Sequence, residues 1–435
     1  MTSAAWAFCG DRRLPITRSD AFLAPPRLEP LHDAVGAIEE ALANPLAAPP
    51  LAALVRGLRK IAIVIPDSSR PCPNPLVLEP LLATLTSAGV PADGVRIVIG
   101  CGLHAATDDG EKERLVGASR LRQTMVVDAQ GFDSPTRDLG TTSQGAPIAI
   151  TRDVADAELA LTIGIVEPHL YAGFSGGVKG VAIGCGGHQT ITWTHRPTFV
   201  SAPGVALGNL DANPFREALL EIAARTPLRW GVNLVVDEAG RAVALAAGDP
   251  TRIQAKLAAE HETEWLPAVA EAFDVVVLGV PTPKADSLYQ ASRAATYVGL
   301  APRPALRDGG LLVLCADLIN GAGTGPGEQN FFAQLAVATS PAALVARGLQ
   351  ETLGPGGQRA FVVARVLQHH RLAIVGARDS AFLTPLEHLG VTAFDSVDAA
   401  LAADEHILRR RARVLTVADG ITTAARLQDG AGLAP

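Results

Sequence analysis

Short apolar runs recur along the chain and alternate with stretches whose apolar residues return every three or four positions. Residues 60–65 (KIAIVI) form a continuous β-rich run, broken by Asp67-Ser68-Ser69-Arg70-Pro71. Residues 75–88 carry a helical pattern closed by Gly89, and 95–99 (VRIVI) predict a second strand ending at Gly100-Cys101-Gly102. Thr107 is placed to cap the next helix. Further strands are predicted at 125–128, 159–164 (LALTIG) and 230–237 (WGVNLVVD). The same style restarts near residue 270, with strands at 274–279 (DVVVLG), 310–316 (GLLVLCA), 372–376 and 413–418 (RVLTVA) and a helical pattern at 360–367. Residues 41–54 read as a helix end and a turn. Strands that alternate with helices and are apolar throughout predict α/β architecture with mostly parallel sheets covered on both faces.

Length adds a division to this picture. A chain of 435 residues exceeds what one small core needs and suggests two or three domains. Residues 261–271, with Pro267 among them, are the candidate linker. A composition of 48% hydrophobic and 19% charged residues excludes global disorder. The net charge is −7 and Lys and Arg are scattered, so neither nucleic-acid nor membrane-surface binding is expected. The one basic run, Arg409-Arg410-Arg411, reads as a solvated helix end. The five cysteines are odd in number and form no C-x-x-C pair, which argues against a disulfide framework or a zinc knuckle. No leader pattern and no apolar run of membrane-spanning length is found, so a soluble cytoplasmic protein is expected.

Ligands of parallel sheets bind outside the carboxyl ends of the strands. The residues just past these ends are Asp67 and Arg70, then His104, then Glu167 and His169. Histidine suits proton transfer near neutral pH and also ligates nickel, copper or zinc. An arginine at such an edge can grip a carboxylate with two parallel hydrogen bonds, although Asp67 is a plain local partner for Arg70. Residues 164–197 are dense in glycine and carry Lys179 and the histidines at 169, 188 and 195. A loop of this kind can turn N–H groups toward a phosphate, but it matches neither a Walker A nor a dinucleotide fingerprint. A flexible surface loop is the plain alternative. His188 stays unassigned, and His369-His370 reads as a helix-end pair. Gln290 and Arg293, beside Tyr289, share a helical face that suits a small anion; an exposed amphipathic helix would show the same spacing.

Taken together, four ordered segments resemble the lactate racemase family, the nickel-pincer enzymes. They are Asp67-x-x-Arg70-Pro71, Gly102-Leu103-His104, the stretch from Glu167-Pro168-His169 through Phe174-Ser175-Gly176-Gly177-x-Lys179 to His195, and Leu288-Tyr289-Gln290-x-x-Arg293. The resemblance runs from about residue 10 to about residue 420. It implies two α/β domains with the active site in the cleft between them. Residues 1–265 would form the cofactor-binding domain, rejoined by 412–435, and 272–411 the second domain. It implies a nickel pyridinium-3,5-bisthiocarboxylic acid mononucleotide joined covalently to Lys179, with His195 completing the nickel coordination. Asp67, Ser175, Gly176 and Gly177 would hold the nucleotide. His104 and His169 would be the acid/base pair. Arg70, Tyr289, Gln290 and Arg293 would contact the substrate.

The activity so implied is racemisation or epimerisation of a 2-hydroxy acid by hydride transfer through a 2-oxo acid, with cofactor-building enzymes as partners. Position 293 is Arg where the lactate enzyme has Lys, and the segment around Gly356-Gly357-Gln358 matches poorly; both bear on which substrate is taken. A metal-dependent hydrolase or a dehydrogenase using the same histidines, and a non-catalytic carrier of the cofactor, are the rival readings.

Overall fold

The computed structural model describes residues 5–403 and 412–428. The basic run at 409–411 lies outside the described residues. The chain forms two compact units. The first comprises Leu28–His195 and Phe199–His261; the second comprises Met1–Arg27, Arg196–Thr198 and Glu262–Pro435. Chain order begins with a hairpin, β1 (Trp6–Cys9) and β2 (Arg12–Pro15), and a short strand β3 (Ala21–Leu23). Then come β4 (Ile61–Pro66), β5 (Val95–Gly102), β6 (Met125–Gln130), β7 (Leu159–Ile165), β8 (Leu228–Val236) and β9 (Ala242–Gly248) of the first unit. The second unit continues with β10 (Phe273–Gly279), β11 (Leu306–Cys315), β12 (Arg371–Val375), β13 (Val391–Phe394) and β14 (Val414–Val417).

The first unit's sheet has the order β9-β8-β7-β4-β5-β6, and only β9 runs antiparallel to its neighbour. All seven residues of β7 and the first five of β4 are buried, as expected of strands covered on both faces. Helix α1 (Asn74–Ser87) packs Val77, Leu78, Leu81 and Leu85 into this core, which also holds the fully buried Trp230. Each such side chain adds roughly 1.5–3 kcal/mol of burial. The chain winds outward from β4 to β6 and then restarts at β7 on the other side of β4. The order therefore reverses between β4 and β7, where the connecting loops diverge and ligands of such sheets sit.

The second unit's sheet, β13-β12-β11-β10-β14-β3, is parallel throughout. Its order reverses between β10 and β14, and here the gap is filled by the chain's own first strand. The Phe8 amide donates to the Ala418 carbonyl at 3.0 Å and the Val280 amide donates to the Phe8 carbonyl at 3.0 Å. A Cβ on Gly279 would lie 2.0 Å from the Ala418 oxygen, so only glycine admits β1 there.

Three expectations are corrected. Residues 412–428 do not rejoin the first unit, because β14 pairs with β10 and β3 inside the second sheet. The expected linker begins inside a helix, Pro250–Trp265, and continues as a short strand, Ala268–Val269, paired with Arg426–Leu427. The helix after β5 is capped by Asp108, with a reciprocal bond from Glu111, while the Thr107 hydroxyl turns to Asp128. All five cysteines are buried free thiols. Among the described residues, no helix is long and apolar enough to cross a membrane.

Candidate active site

The first unit's order reversal carries the polar residues that the sequence places there. Past β4, the Arg70 amide donates to the Asp67 carbonyl at 3.2 Å, closing a turn. Asp67 is buried and its Oδ1 accepts from the Ser69 amide at 3.2 Å and from the Ser69 hydroxyl. Its Oδ2 lies 2.6 Å from His104 Nδ1, presented from the turn after β5. Burial pushes the Asp67 carboxyl up, but the hydrogen bond and charge of His104 and the two bonds from Ser69 outweigh it, leaving the group below its usual range. Asp67 is therefore a carboxylate, an acceptor only, and His104 Nδ1 carries the proton that it donates. In the neutral ring the remaining nitrogen, Nε2, keeps its lone pair, on a side chain that is 65% exposed.

His169 has the opposite arrangement. It sits on a two-residue strand, Pro168–His169, paired with Gly173–Phe174. Its Nδ1 accepts from the Tyr171 amide at 3.3 Å and the Ala172 amide at 3.1 Å. An acceptor nitrogen has no proton, so in the neutral ring the proton sits on Nε2. One histidine thus presents a proton acceptor and the other a proton donor. Between them, Arg70 pairs with Glu167, not with Asp67. This ion pair joins the loops after β4 and β7 across the point where the strand order reverses.

Lys179 and His195 close the same constellation. Helix α2 (His188–Thr194) ends at His195, whose Nδ1 donates to the Ile191 carbonyl at 2.9 Å. The ring stands edge-on to Tyr171 at 5.8 Å and to Phe215 at 5.3 Å, with part of it still reaching solvent. Burial pushes its pKa down to about 4; the Ile191 carbonyl opposes this and the nearby Lys179 charge adds to it. A neutral imidazole whose Nδ1 is fixed on a carbonyl is the form that ligates a metal through Nε2. Tyr171 also stands edge-on to His169 at 5.9 Å, so one aromatic ring separates the two histidines.

The glycine-rich segment is not a flexible surface loop. After Lys179 it forms a π-helical turn, Gly180–Gly184, with Val181 and Ala182 buried, a feature frequent at functional sites. Gly184 lies against Gly100, and a Cβ on it would come within 3.2 Å of the Gly100 backbone. Ser175, Gly176 and Gly177 are held by the fold itself. The Ser175 hydroxyl donates to the Ile165 carbonyl at 2.8 Å and the Gly177 amide donates to Asn233 Oδ1 at 2.8 Å. Gly176, with φ +77°, packs its backbone against the same asparagine and the Ile165 carbonyl. These donors build the loop that carries Lys179. Asn233, Gln254 and Tyr171 were not singled out from sequence. Asn233 had a signal, being the lone amide in an apolar strand; Gln254, which donates to the Phe174 and Ser175 carbonyls, had none.

On the second unit, helix α3 (Leu288–Gly299) carries Tyr289, Gln290 and Arg293. Gln290 Oε1 and Arg293 Nε are buried with no hydrogen-bond partner among the described residues, a pattern that suits groups reserved for a ligand. Tyr289 packs edge-on against Phe331 at 5.4 Å and lies under the Arg359 guanidinium at 5.7 Å, so its ring is held by the unit's own core. His188 stacks on the exposed Phe132 at 5.3 Å, and His369 lies 3.2 Å from Asp308; neither belongs to the site.

The chain is similar to known proteins in sequence and in fold. Residues 11–208 match the lactate racemase N-terminal domain. The chain is 27% identical to a lactate racemase of Thermoanaerobacterium thermosaccharolyticum over 397 residues, covering 89% of this chain and 90% of that one. A lactate racemase of Lactiplantibacillus plantarum is 27% identical over 394 residues, with 88% and 89% covered. In structure, the lactate racemase apoprotein from T. thermosaccharolyticum superposes with a TM-score of 0.88 at 22% identity, over 98% of this chain and all of that chain. A Thermotoga maritima protein superposes with a TM-score of 0.67 at 16% identity, over 91% and 98% of the two chains. Its N-terminal residues thus match the lactate racemase N-terminal domain, and the chain is similar to lactate racemases over about nine-tenths of both lengths.

Proposed function

We propose that the protein is an isomerase, a racemase or epimerase of a 2-hydroxy acid, working with a nickel-pincer nucleotide tethered at Lys179. The observation that carries the reading is that Nδ1 is engaged in both histidines, by Asp67 in His104 and by the Tyr171 and Ala172 amides in His169, which makes Nε2 the reacting nitrogen of each. A reaction that inverts a carbinol centre needs a proton taken from a hydroxyl on one side and returned to an oxygen on the other. When bound, the nickel nucleotide supplies the acceptor and donor for the substrate's α-hydrogen as hydride. The residues present fit such a group: a lysine amine for the tether, and a neutral histidine with one nitrogen fixed and the other available as a ligand.

This chain's own groups then have separate tasks. His104 accepts the hydroxyl proton at Nε2, and Asp67 stabilises the imidazolium that forms. His169 serves the opposite enantiomer: as the imidazolium it gives its Nε2 proton to the oxygen of the 2-oxo acid and is left neutral, so that the two histidines carry one extra proton between them. Running the reaction the other way exchanges the two roles. Arg70, oriented by Glu167, holds the carboxylate; Gln290 and Arg293 supply further polar contacts. Tyr171 and Phe215 hold the His195 ring in place. Among the described residues no three His, Cys, Asp or Glu side chains gather to cage a metal, which weighs against the hydrolase alternative, whose catalytic metal takes three protein ligands.

The test is co-expression with the enzymes that build the cofactor, then intact mass, nickel content and chiral assay on a panel of 2-hydroxy acids including lactate. The expected result is a mass gain mapped to Lys179, nickel lost on His195→Ala substitution, and interconversion of at least one pair of stereoisomers. A chain left unmodified, in cells that load a lactate racemase, would contradict the reading.

A further inference from the structure

In the second unit, β1 fills the point where the strand order reverses, so the usual ligand position of that sheet is closed. A crevice of about 440 Å³ lies beside it, at the carboxyl ends of β11 and β12. It is lined by Arg12 from the N-terminal hairpin, Asp317 past β11, and Gly376 and Arg378 past β12. The volume is in the range of small-molecule sites, roughly 300–1,000 Å³. None of these residues belongs to the constellation around His104 and His169.

The walls are drawn together by backbone, not by ion pairs. Gly10, with φ +60°, is so close to Asp317 that a Cβ would lie 2.5 Å from Oδ2, and a Cβ on Gly376 would lie 2.5 Å from the Cys9 sulfur. The Arg378 amide donates to the Asp317 carbonyl at 2.7 Å. Opposite charges face one crevice, yet among the described residues neither Arg12 nor Arg378 is in an ion pair. The Arg12 guanidinium reaches only the Cys9 sulfur, at 3.6 Å. Among the described residues, Asp317 Oδ1 is buried with no hydrogen-bond partner. A buried carboxylate oxygen without a donor is destabilising, and two arginines close by do not relieve it.

We propose that this crevice is a second ligand site, for a small oxyanion that also carries hydroxyl groups. The two guanidiniums take the anionic group through charge-assisted hydrogen bonds. A ligand hydroxyl donates to the Asp317 carboxylate, which lines the crevice. Asp11 and Asp286 are also near: burial pushes the Asp286 carboxyl up, and the charges of Asp317 and Asp11 add to this. That acidic surround disfavours bare anions and favours a ligand that brings donors along with its charge. A phosphate ester and a carboxylate share this chemistry.

The test is calorimetric titration of the full chain with glycerol 3-phosphate, glycerate, methyl phosphate and inorganic phosphate. Saturable binding of glycerol 3-phosphate or glycerate is expected, tighter for the phosphate ester if that is the physiological group and for glycerate if a carboxylate is. Arg12→Gln and Arg378→Gln, both on exposed side chains, should each weaken it about tenfold. Asp317→Asn should reduce the preference for glycerol 3-phosphate over methyl phosphate, with an unchanged melting profile showing that the unit is folded. Glycerate is itself a 2-hydroxy acid, so its binding counts for this site only where it persists in Arg70→Gln and weakens in Arg12→Gln; His104→Ala and Arg70→Gln should leave glycerol 3-phosphate binding unaltered. Absence of saturable binding by any of the four probes, or equal binding by the Arg12→Gln/Arg378→Gln double variant, would overturn the proposal.

Discussion

The two units solve the same topological problem in opposite ways. Each has a six-stranded sheet whose strand order reverses once, between β4 and β7 in the first and between β10 and β14 in the second. In the first, the reversal is occupied by side chains: Asp67, Arg70, His104, Glu167 and His169 converge there from three loops. In the second, β1 is threaded into the gap, and Gly279 has no room for a side chain. Architecture alone therefore does not assign chemistry. What decides is whether the loops past the strands leave polar groups or backbone at the reversal.

The comparison breaks most severely if the first reversal is not the reaction centre. In loaded enzyme, His104→Ala and His169→Ala should each lower racemisation by about 10³-fold while the adduct at Lys179 remains, read by chiral assay and intact mass. Asp67→Asn should follow, with kcat reduced about 100-fold and KM nearly unchanged, because an amide can no longer fix the His104 proton on Nδ1. At the second reversal the cost should fall on stability. Gly279→Ala should destabilise that unit by about 1–3 kcal/mol in denaturant melts, with turnover per folded molecule preserved.

A gentler probe is pH. His195 has a folded pKa near 4, below the ordinary 6.5. Its contribution to the stability of cofactor-free protein is complete above about pH 6.5 and is lost as pH falls toward 4, because the unfolded chain takes up the proton first. His195→Gln should flatten the stability profile in that window. The smallest effect is expected for His188→Ala, on the exposed stack with Phe132, within about 0.5 kcal/mol in melts and without change in turnover.

Much of this was legible in the chain. Apolar runs such as 60–65 and 159–164 read directly as buried strands, and their carboxyl ends carried the chemistry. Long-range partners were not legible. The choice of Glu167 over Asp67 by Arg70, and of Asp67 by His104, depends on which loops the sheet brings together. β1 and β3 are three or four residues long, and β3 pairs with a strand almost 400 residues later, which no local pattern reveals. The Asp108 cap was readable, since Asp-x-x-Glu before a helix is its own signature. The close packing of the glycines at 176 and 177 against Asn233 and Gln254 was not legible, because those partners lie far along the chain.

The central claim is that the α-hydrogen of a 2-hydroxy acid leaves and returns as hydride while His104 and His169 handle only the hydroxyl proton. The direct measurement is turnover, by loaded enzyme in ordinary water, of a substrate deuterated at the α-carbon, with mass analysis of the inverted product. Retention of the deuterium, with a slower rate than the protium substrate, is the predicted result. Exchange of the deuterium for solvent hydrogen would show that a side chain abstracts it as a proton, and would contradict the account.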